Sequence, residues 1–340
     1  MGRAFRVGVS RDFLDGDRNV WGDIGLSRLD AAGVPWEYLS NDVPAFAPDD
    51  LAPYDGVLFA GPAVPASAFS DDLPRPLLLA RFGVGYDTVD LTACTDRGVA
   101  VTITPDGARA PVASATLAML LAVLHNLVAK DRLVREHDWE ARTNLMGTGL
   151  NGLRIGLLGV GNTGGEFIRL LAPFDVTIIG NDPFCTPERA AELGVRLVER
   201  DELAASSDAV VVMAALTSDT HHAIDAAFLA AMKPSAVLLN MARGPIVDEQ
   251  ALITALTSGG IRAAGLDVFE SEPPTSGIEK LPNVTLAPHS LAWTSEMSLG
   301  NGNSCVDALL AVAGGQAPRF VVNRDVLAAP AFVNRLKEWA

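Results

Sequence analysis

Three glycines and an aspartate carry the first chemical signal. Gly159-Val160-Gly161-Asn162-Thr163-Gly164 closes a strand-like run and opens a helical pattern, with the spacing G-x-G-x-x-G. Gly159 permits a tight turn, Gly161 lets backbone amides approach a pyrophosphate, and Gly164 lets the helix pack close to the strand. The start of that helix, with Asn162 and Thr163 in its first turn, offers free N–H groups and partial positive charge to phosphates. Glycines alone would fit a purely structural turn. The next strand-like run ends in Asn181-Asp182-Pro183, and Asp182 lies eighteen positions after Gly164. An acidic side chain there accepts hydrogen bonds from the adenosine ribose hydroxyls and repels a 2′-phosphate. A strand-end aspartate capping a turn is the plainer alternative. Together the signals indicate NAD rather than NADP.

Three later segments each end a strand-like run: Leu239-Asn240-Met241-Ala242-Arg243-Gly244, then Gly265 to Pro274, then Leu286-Ala287-Pro288-His289-Ser290. Ligands of open α/β sheets bind outside the carboxyl ends of the strands, so polar residues from all three segments can meet in one place.

The elements that must hold these residues alternate along the chain. Strand-like runs at Phe5–Ser10, Trp36–Leu39, Gly56–Ala60, Leu77–Phe82 and Val99–Thr102 precede a helical pattern from about Pro111 to Trp139. That pattern is apolar nearly all round in its first half, which predicts burial, and charged from Lys130 to Glu140. Seven more strand-like runs follow, at Arg154–Val160, Val176–Asn181, Val195–Leu197, Ala209–Ala214, Ala236–Met241, Ala263–Val268 and Val284–Ala287. The alternation predicts an α/β protein with two doubly wound domains. Residues 1–104 with 290–340 would form a flavodoxin-like substrate domain, and 105–289 a Rossmann NAD-binding domain. A cofactor cleft would lie between them, hinged at the two crossings.

The chain resembles the D-isomer-specific 2-hydroxyacid dehydrogenase family. The resemblance rests on Arg81-Phe82-Gly83-Val84-Gly85-Tyr86-Asp87, the glycine loop, Ala242-Arg243-Gly244, Asp267 to Pro274 and Pro288-His289, in the family's order. It implies a nicotinamide-dependent hydride transfer on a small 2-hydroxy or 2-keto acid, with Arg243, Glu272 and His289 as catalytic residues. His289 would exchange the proton, Glu272 would orient and charge it, and Arg243 would bind the carboxylate and polarise the carbonyl. The backbone amides of Val84 and Gly85 would hold the carboxylate's other end. Thr116, Ala242 and Asp267 would lie near the cofactor, although a packed, capped aspartate fits Asp267 nearly as well. Each polar residue taken alone has a structural reading, as a turn, a cap or a surface group, and the ordered set carries the argument.

The sequence also departs from the family. Ala60-Gly61-Pro62-Ala63-Val64 lacks the arginine that phosphoglycerate dehydrogenases carry there, which disfavours a phosphorylated substrate. Ser114 stands where a glutamate is usual. Arg109 is a candidate second anion contact, with a structural role as its alternative. Trp293, four residues after His289, is a candidate apolar wall of the substrate pocket, or simply a core residue. His221 and His222 read as surface residues, His125 as a helix-packing residue and His137 as solvated. A phosphite-type dehydrogenase and a non-catalytic NAD-sensing binder of the same fold are the competing functions.

Bulk properties narrow the remaining classes. Of 340 residues 49% are apolar, enough for two cores, and the formal charge is −15. That charge and the lack of a basic stripe argue against nucleic acid, and imply that an anionic substrate is held by local cations. The apolar stretch around Thr116–Leu124 is too short for a membrane span. Three scattered cysteines and no apolar leader suggest a cytoplasmic protein. The apolar helix from Pro111 suggests a homodimer interface.

Overall fold

The computed structural model describes residues 3–340, and the chain forms two compact units. One runs to Ala108 and resumes at Trp293–Ala340, and the other is Arg109–Ala292.

In the first unit the strands are β1 (Val7–Val9), β2 (Leu14–Asp15), β3 (Arg18–Asn19), β4 (Trp36–Tyr38), β5 (Gly56–Phe59), β6 (Leu78–Arg81) and β7 (Ala100–Thr102). Five of them form a parallel sheet in the order β4-β1-β5-β6-β7. Leaving the β2–β3 pair aside, this is the flavodoxin-like order 2-1-3-4-5. Alternate side chains go to opposite faces. Val7, Leu58, Leu78 and Ala80 pack on Val306, Leu309 and Val312 of the helix Ser295–Ala313, while Val57, Phe59, Leu79 and Val101 pack on Leu51 and Cys94. Both faces of β1, β5, β6 and β7 are covered, so these strands read as nearly continuous apolar runs. The antiparallel β2–β3 pair has no counterpart in the strands read from sequence. Two-residue strands are too short to show an alternation.

The second unit contains β8 (Arg154–Leu158), β9 (Thr177–Asn181), β10 (Arg196–Leu197), β11 (Ala209–Val212), β12 (Val237–Asn240), β13 (Ala263–Leu266) and β14 (Val284–Leu286). All pair in parallel, in the order β10-β9-β8-β11-β12-β13-β14. The order reverses between β8 and β11, the Rossmann switch point. In register, Leu158 lies opposite Asn181 and Val212, and Asn240 opposite Leu266. The segments that leave these strand ends therefore emerge along one edge.

The long helical pattern departs from expectation at both ends. The helix begins at Pro105 and stops at Leu124, with Pro111 inside it. Proline suits a first position because its missing N–H would be unpaired there anyway. Asn126 then adopts a left-handed conformation, φ 55°, before a second helix, Leu127–Arg135. The Leu124 carbonyl accepts the Thr148 N–H, and Asn126 Nδ2 donates to the Met146 carbonyl, so the returning chain closes the break. His125 sits at this break and is exposed, not packed. The helix Pro105–Leu124 is long and apolar enough for a membrane by length and composition. Its Ala113, Ala115, Met119, Leu120 and Val123 are buried in the protein.

Candidate active site

The glycine loop leaves β8 at the switch point. Gly159 has φ +95°, and a Cβ on it would lie 2.6 Å from the Ala214 amide nitrogen, so only glycine fits. Gly164, in the first turn of the helix Asn162–Leu171, lies directly over the Gly159 carbonyl. At Gly161 a Cβ would meet no protein atom within 4 Å. The protein itself does not need glycine there, but a ligand backed onto the loop would. Asn162 and Thr163 open the helix, whose first amides have no helical acceptor. Asp182, just past β9, accepts the Val160 N–H at 2.7 Å and the Phe184 N–H at 2.9 Å, which fixes its carboxylate beside the loop. An open cradle, a helix N-terminus and a held carboxylate fit a dinucleotide.

Thr116 does not join this set. It is fully buried and its hydroxyl donates to the Val112 carbonyl within its own helix, so it offers no surface to a cofactor. Arg109, the other early candidate, pairs with Glu166, which Arg169 also holds.

The three polar segments do converge. His289 Nδ1 and Glu272 Oε2 are 2.8 Å apart. Glu272 Oε1 also accepts the Phe269 N–H at 3.2 Å. Burial alone would raise the Glu272 carboxyl. The hydrogen bond and charge of His289, the Phe269 N–H and the charge of Arg243 outweigh it and hold the group below the usual glutamate range. His289 has φ 52°, and its N–H donates to the Asp267 carbonyl at 2.8 Å. Asp267 is buried, and its carboxylate accepts the N–H groups of Ser290 and Leu291. Burial nevertheless pushes its carboxyl up from the usual value. Its carboxylate is engaged in holding the His289 segment, which matches the packed, capped alternative.

Arg243 follows β12. Asn240 braces the turn, donating to the Arg243 carbonyl at 2.8 Å and accepting the Ala242 N–H at 3.1 Å. Arg243 Nη1 donates to the Ala242 carbonyl at 2.7 Å. A Cβ on Gly244 would sit 1.8 Å from the Phe269 carbonyl oxygen, so this turn lies flush on the segment that leads to Glu272.

Sequence reading missed one contact. His222 Nε2 lies 2.5 Å from Glu270 Oε1, and the His222 N–H donates to the Pro245 carbonyl at 2.8 Å. The pair spans the Arg243 turn. Two adjacent histidines carry no such information by themselves; Glu270, two residues before Glu272, was the only available cue.

In the first unit, the loop of Val84 and Gly85 leaves the carboxyl end of β6. Thr104 Oγ1 accepts the Gly83 N–H at 2.9 Å and donates to Asn301 Oδ1 at 2.7 Å, and the Thr104 N–H donates to the Gly83 carbonyl at 3.0 Å. Val84 is exposed. Trp293 stacks on Trp21 and stays 44% exposed, so it is only half a packing residue.

The arrangement pairs an oriented imidazole with a carboxylate and a nearby guanidinium, the equipment for proton exchange at an oxygen next to a bound anion. Among the described residues, no group of three or more His, Cys, Asp or Glu could hold a metal. The chain is similar to the proteins of one enzyme family. Residues 117–290 match the family described as D-isomer specific 2-hydroxyacid dehydrogenase, NAD binding domain. The chain is 38% identical over 264 residues to a glyoxylate reductase of Thermococcus onnurineus, covering 76% of this chain and 79% of that protein. It is 39% identical over 247 residues to a D-3-phosphoglycerate dehydrogenase of Mycobacterium bovis, covering 72% of this chain but only 47% of that protein. A solved structure of an NADPH-dependent glyoxylate/hydroxypyruvate reductase from Sinorhizobium meliloti superposes with a TM-score of 0.79 at 30% identity, covering 94% of this chain and 98% of that one.

Proposed function

Because the chain belongs to the D-isomer specific 2-hydroxyacid dehydrogenase family, we propose that it interconverts a small, unphosphorylated 2-hydroxy acid and its 2-keto acid with NAD, using His289 as the acid/base. The observation that carries this reading is the 2.8 Å contact between His289 Nδ1 and Glu272, within reach of the Arg243 charge. With Nδ1 engaged, Nε2 is the nitrogen left to give the substrate oxygen a proton in reduction and remove it in oxidation. Hydride transfer at C2 is the chemistry that bound nicotinamide supplies. Glu272 holds the ring in place, and Arg243 grips the carboxylate. The absence of a cation in Ala60-Gly61-Pro62-Ala63-Val64 supports an unphosphorylated substrate.

NAD over NADP rests on Asp182. Its carboxylate is held beside the glycine loop, where it would meet a ribose, and Asn181 to Cys185 contains no lysine or arginine to receive a 2′-phosphate. NADH oxidation across 2-keto acids, with NADPH in parallel, tests both parts. Turnover is expected with at least one keto acid and with NADH preferred. Asp182→Ser is expected to narrow that preference by about tenfold or more, because like-charge repulsion is worth several kcal/mol. No turnover on any keto acid, or an intrinsic preference for NADPH, would overturn the corresponding half.

The protein is also proposed to be a homodimer. The helix Pro105–Leu124, the interface expected from sequence, buries much of its apolar surface. The segment after it does not: Leu127, Val134, Trp139 and Met146 are all exposed, Met146 by 89%. Exposed apolar surface on this scale marks an interaction site. Sedimentation should give twice the chain mass, and Trp139→Asp combined with Met146→Asp should give the monomer. A monomeric wild type would rule the dimer out.

A further inference from the structure

His222 follows β11 and Glu270 follows β13, and Arg243 follows β12, the strand between them in the sheet. His222 has φ 52°, a left-handed conformation that few residues other than glycine adopt. Such strain persists where surrounding contacts over-determine the backbone, and here they do. The His222 N–H donates to the Pro245 carbonyl at 2.8 Å, the Ala223 N–H to the Thr220 carbonyl at 3.0 Å, and the Ile224 N–H to the Ile246 carbonyl at 3.0 Å. The Asp248 N–H donates back to the Ile224 carbonyl at 3.0 Å. The segment after β11 is thus bonded along its length to the turn that carries Arg243.

From that support the His222 ring reaches Glu270. Nε2 and Oε1 are 2.5 Å apart, and a carboxylate only accepts, so the ring donates. Glu270 is also held by its backbone, whose N–H donates to Glu249 Oε2 at 3.2 Å. Glu249 is buried and opens the helix Glu249–Ser258, just past the Arg243 turn. Glu270 lies inside the tight loop that the Phe269 N–H closes on Glu272 Oε1, and Glu272 Oε2 in turn meets His289 Nδ1 at 2.8 Å. A run of contacts therefore leads from the Arg243 turn through His222, Glu270 and Glu272 to the His289 ring, all within one compact unit. The His222 and Glu270 side chains remain 38% and 35% exposed. A pair this open to water contributes little to folding, so stability does not account for its placement.

We propose that His222 and Glu270 form a positioning clamp that fixes Glu272, and with it the His289 ring, at a set orientation to Arg243. Gly244 lying flush on Phe269 gives the two segments one fixed point. The His222–Glu270 contact gives a second, and two points keep the segments from pivoting against each other. Both residues act through Glu272 and the Arg243 turn rather than on the substrate. The clamp rests on the function proposed above, in which His289 and Arg243 engage one substrate. A misplacement of about 1 Å, caused away from the chemistry, can cost about 10²-fold in rate.

The test measures kcat and KM for the best keto acid, the Kd for NADH and the Tm. It compares the wild type with His222→Asn, Glu270→Ala, the double variant of these two, His222→Gln and Glu270→Gln. Asparagine tolerates the left-handed backbone, but its amide is too short to reach Glu270. Glutamine at either position keeps a hydrogen-bonding group of similar reach. His222→Asn and Glu270→Ala are each expected to lower kcat/KM by about 10- to 100-fold, with kcat falling and KM rising. NADH binding and Tm should stay close to those of the wild type. The double variant should be no worse than either single change, because the two residues act as a pair. His222→Gln and Glu270→Gln should recover most of the loss. Single variants with wild-type kcat/KM overturn the clamp. So does a double variant whose loss is the product of the single losses, or a loss that follows a falling Tm in every variant. These outcomes leave the acid/base assignment standing, whereas a wild type that turns over no keto acid sinks the function proposed above and the clamp with it.

Discussion

His289→Gln is expected to lower kcat for keto-acid reduction by about 10²–10⁴-fold, with NADH affinity nearly unchanged. Glutamine keeps a planar polar group of similar reach but cannot carry a proton between water and the substrate oxygen. The segment should survive the change, because it is held by backbone: the His289 N–H donates to the Asp267 carbonyl, and the Asp267 carboxylate takes the next two amides. NADH titration by fluorescence and steady-state kinetics separate binding from turnover. Full activity in this variant would remove His289 from the mechanism. The acid side of the pH profile follows from Glu272. Its carboxyl lies below the usual value of 4.5, so it stays charged as the pH falls through the ordinary glutamate range. The pairing with His289, and any stability it contributes, is present above that range and lost only as the pH drops through the lowered value. Reductive kcat/KM should therefore hold on the acid side down to about that point. An acid limb one or two units higher would mean that another group controls it.

Arg243→Lys is expected to lower kcat/KM by about 10- to 100-fold, divided between a higher KM and a lower kcat. A hydrogen bond to a charged group contributes about 1.5–3 kcal/mol, and a lysine ammonium cannot replace the two parallel bonds of a guanidinium fork. The backbone turn should persist, since Asn240 holds it through the Arg243 carbonyl and the Ala242 amide. Lysine keeps the positive charge beside Glu272, so the acid side of the pH profile should stay in place while KM rises. An unchanged KM would mean that Arg243 does not touch the carboxylate.

The parts of this protein legible in its sequence are those written in local patterns. The central parallel strands are apolar runs because both sheet faces are covered there, and they were visible for that reason. The Gly159 loop and Asp182 were legible because a tight turn, a close approach and a strand-end carboxylate each restrict residue type at a fixed spacing. Arg243, Glu272 and His289 stood out only through the family resemblance, as an ordered set on segments that leave strand ends. The parallel register then brought their segments to one edge.

What the sequence could not decide depends on partners distant along the chain. Thr116 reads as a polar residue available to a ligand, and burial turns its hydroxyl back onto Val112. The break after Leu124 exists because Met146 and Thr148 return to close it, and helix periodicity says nothing of their return. Glu270 meets His222 across 48 residues, and Trp293 meets Trp21 across the whole central domain of the chain. Residue type and spacing determined the fold class and the glycine loop, because each is a local restriction on backbone or burial, while the candidate reacting groups came from the family resemblance. Which polar groups remain available, which are engaged in holding others, and which aromatic rings stack on one another were decided by tertiary packing. Only the folded chain brings those groups within van der Waals and hydrogen-bond range.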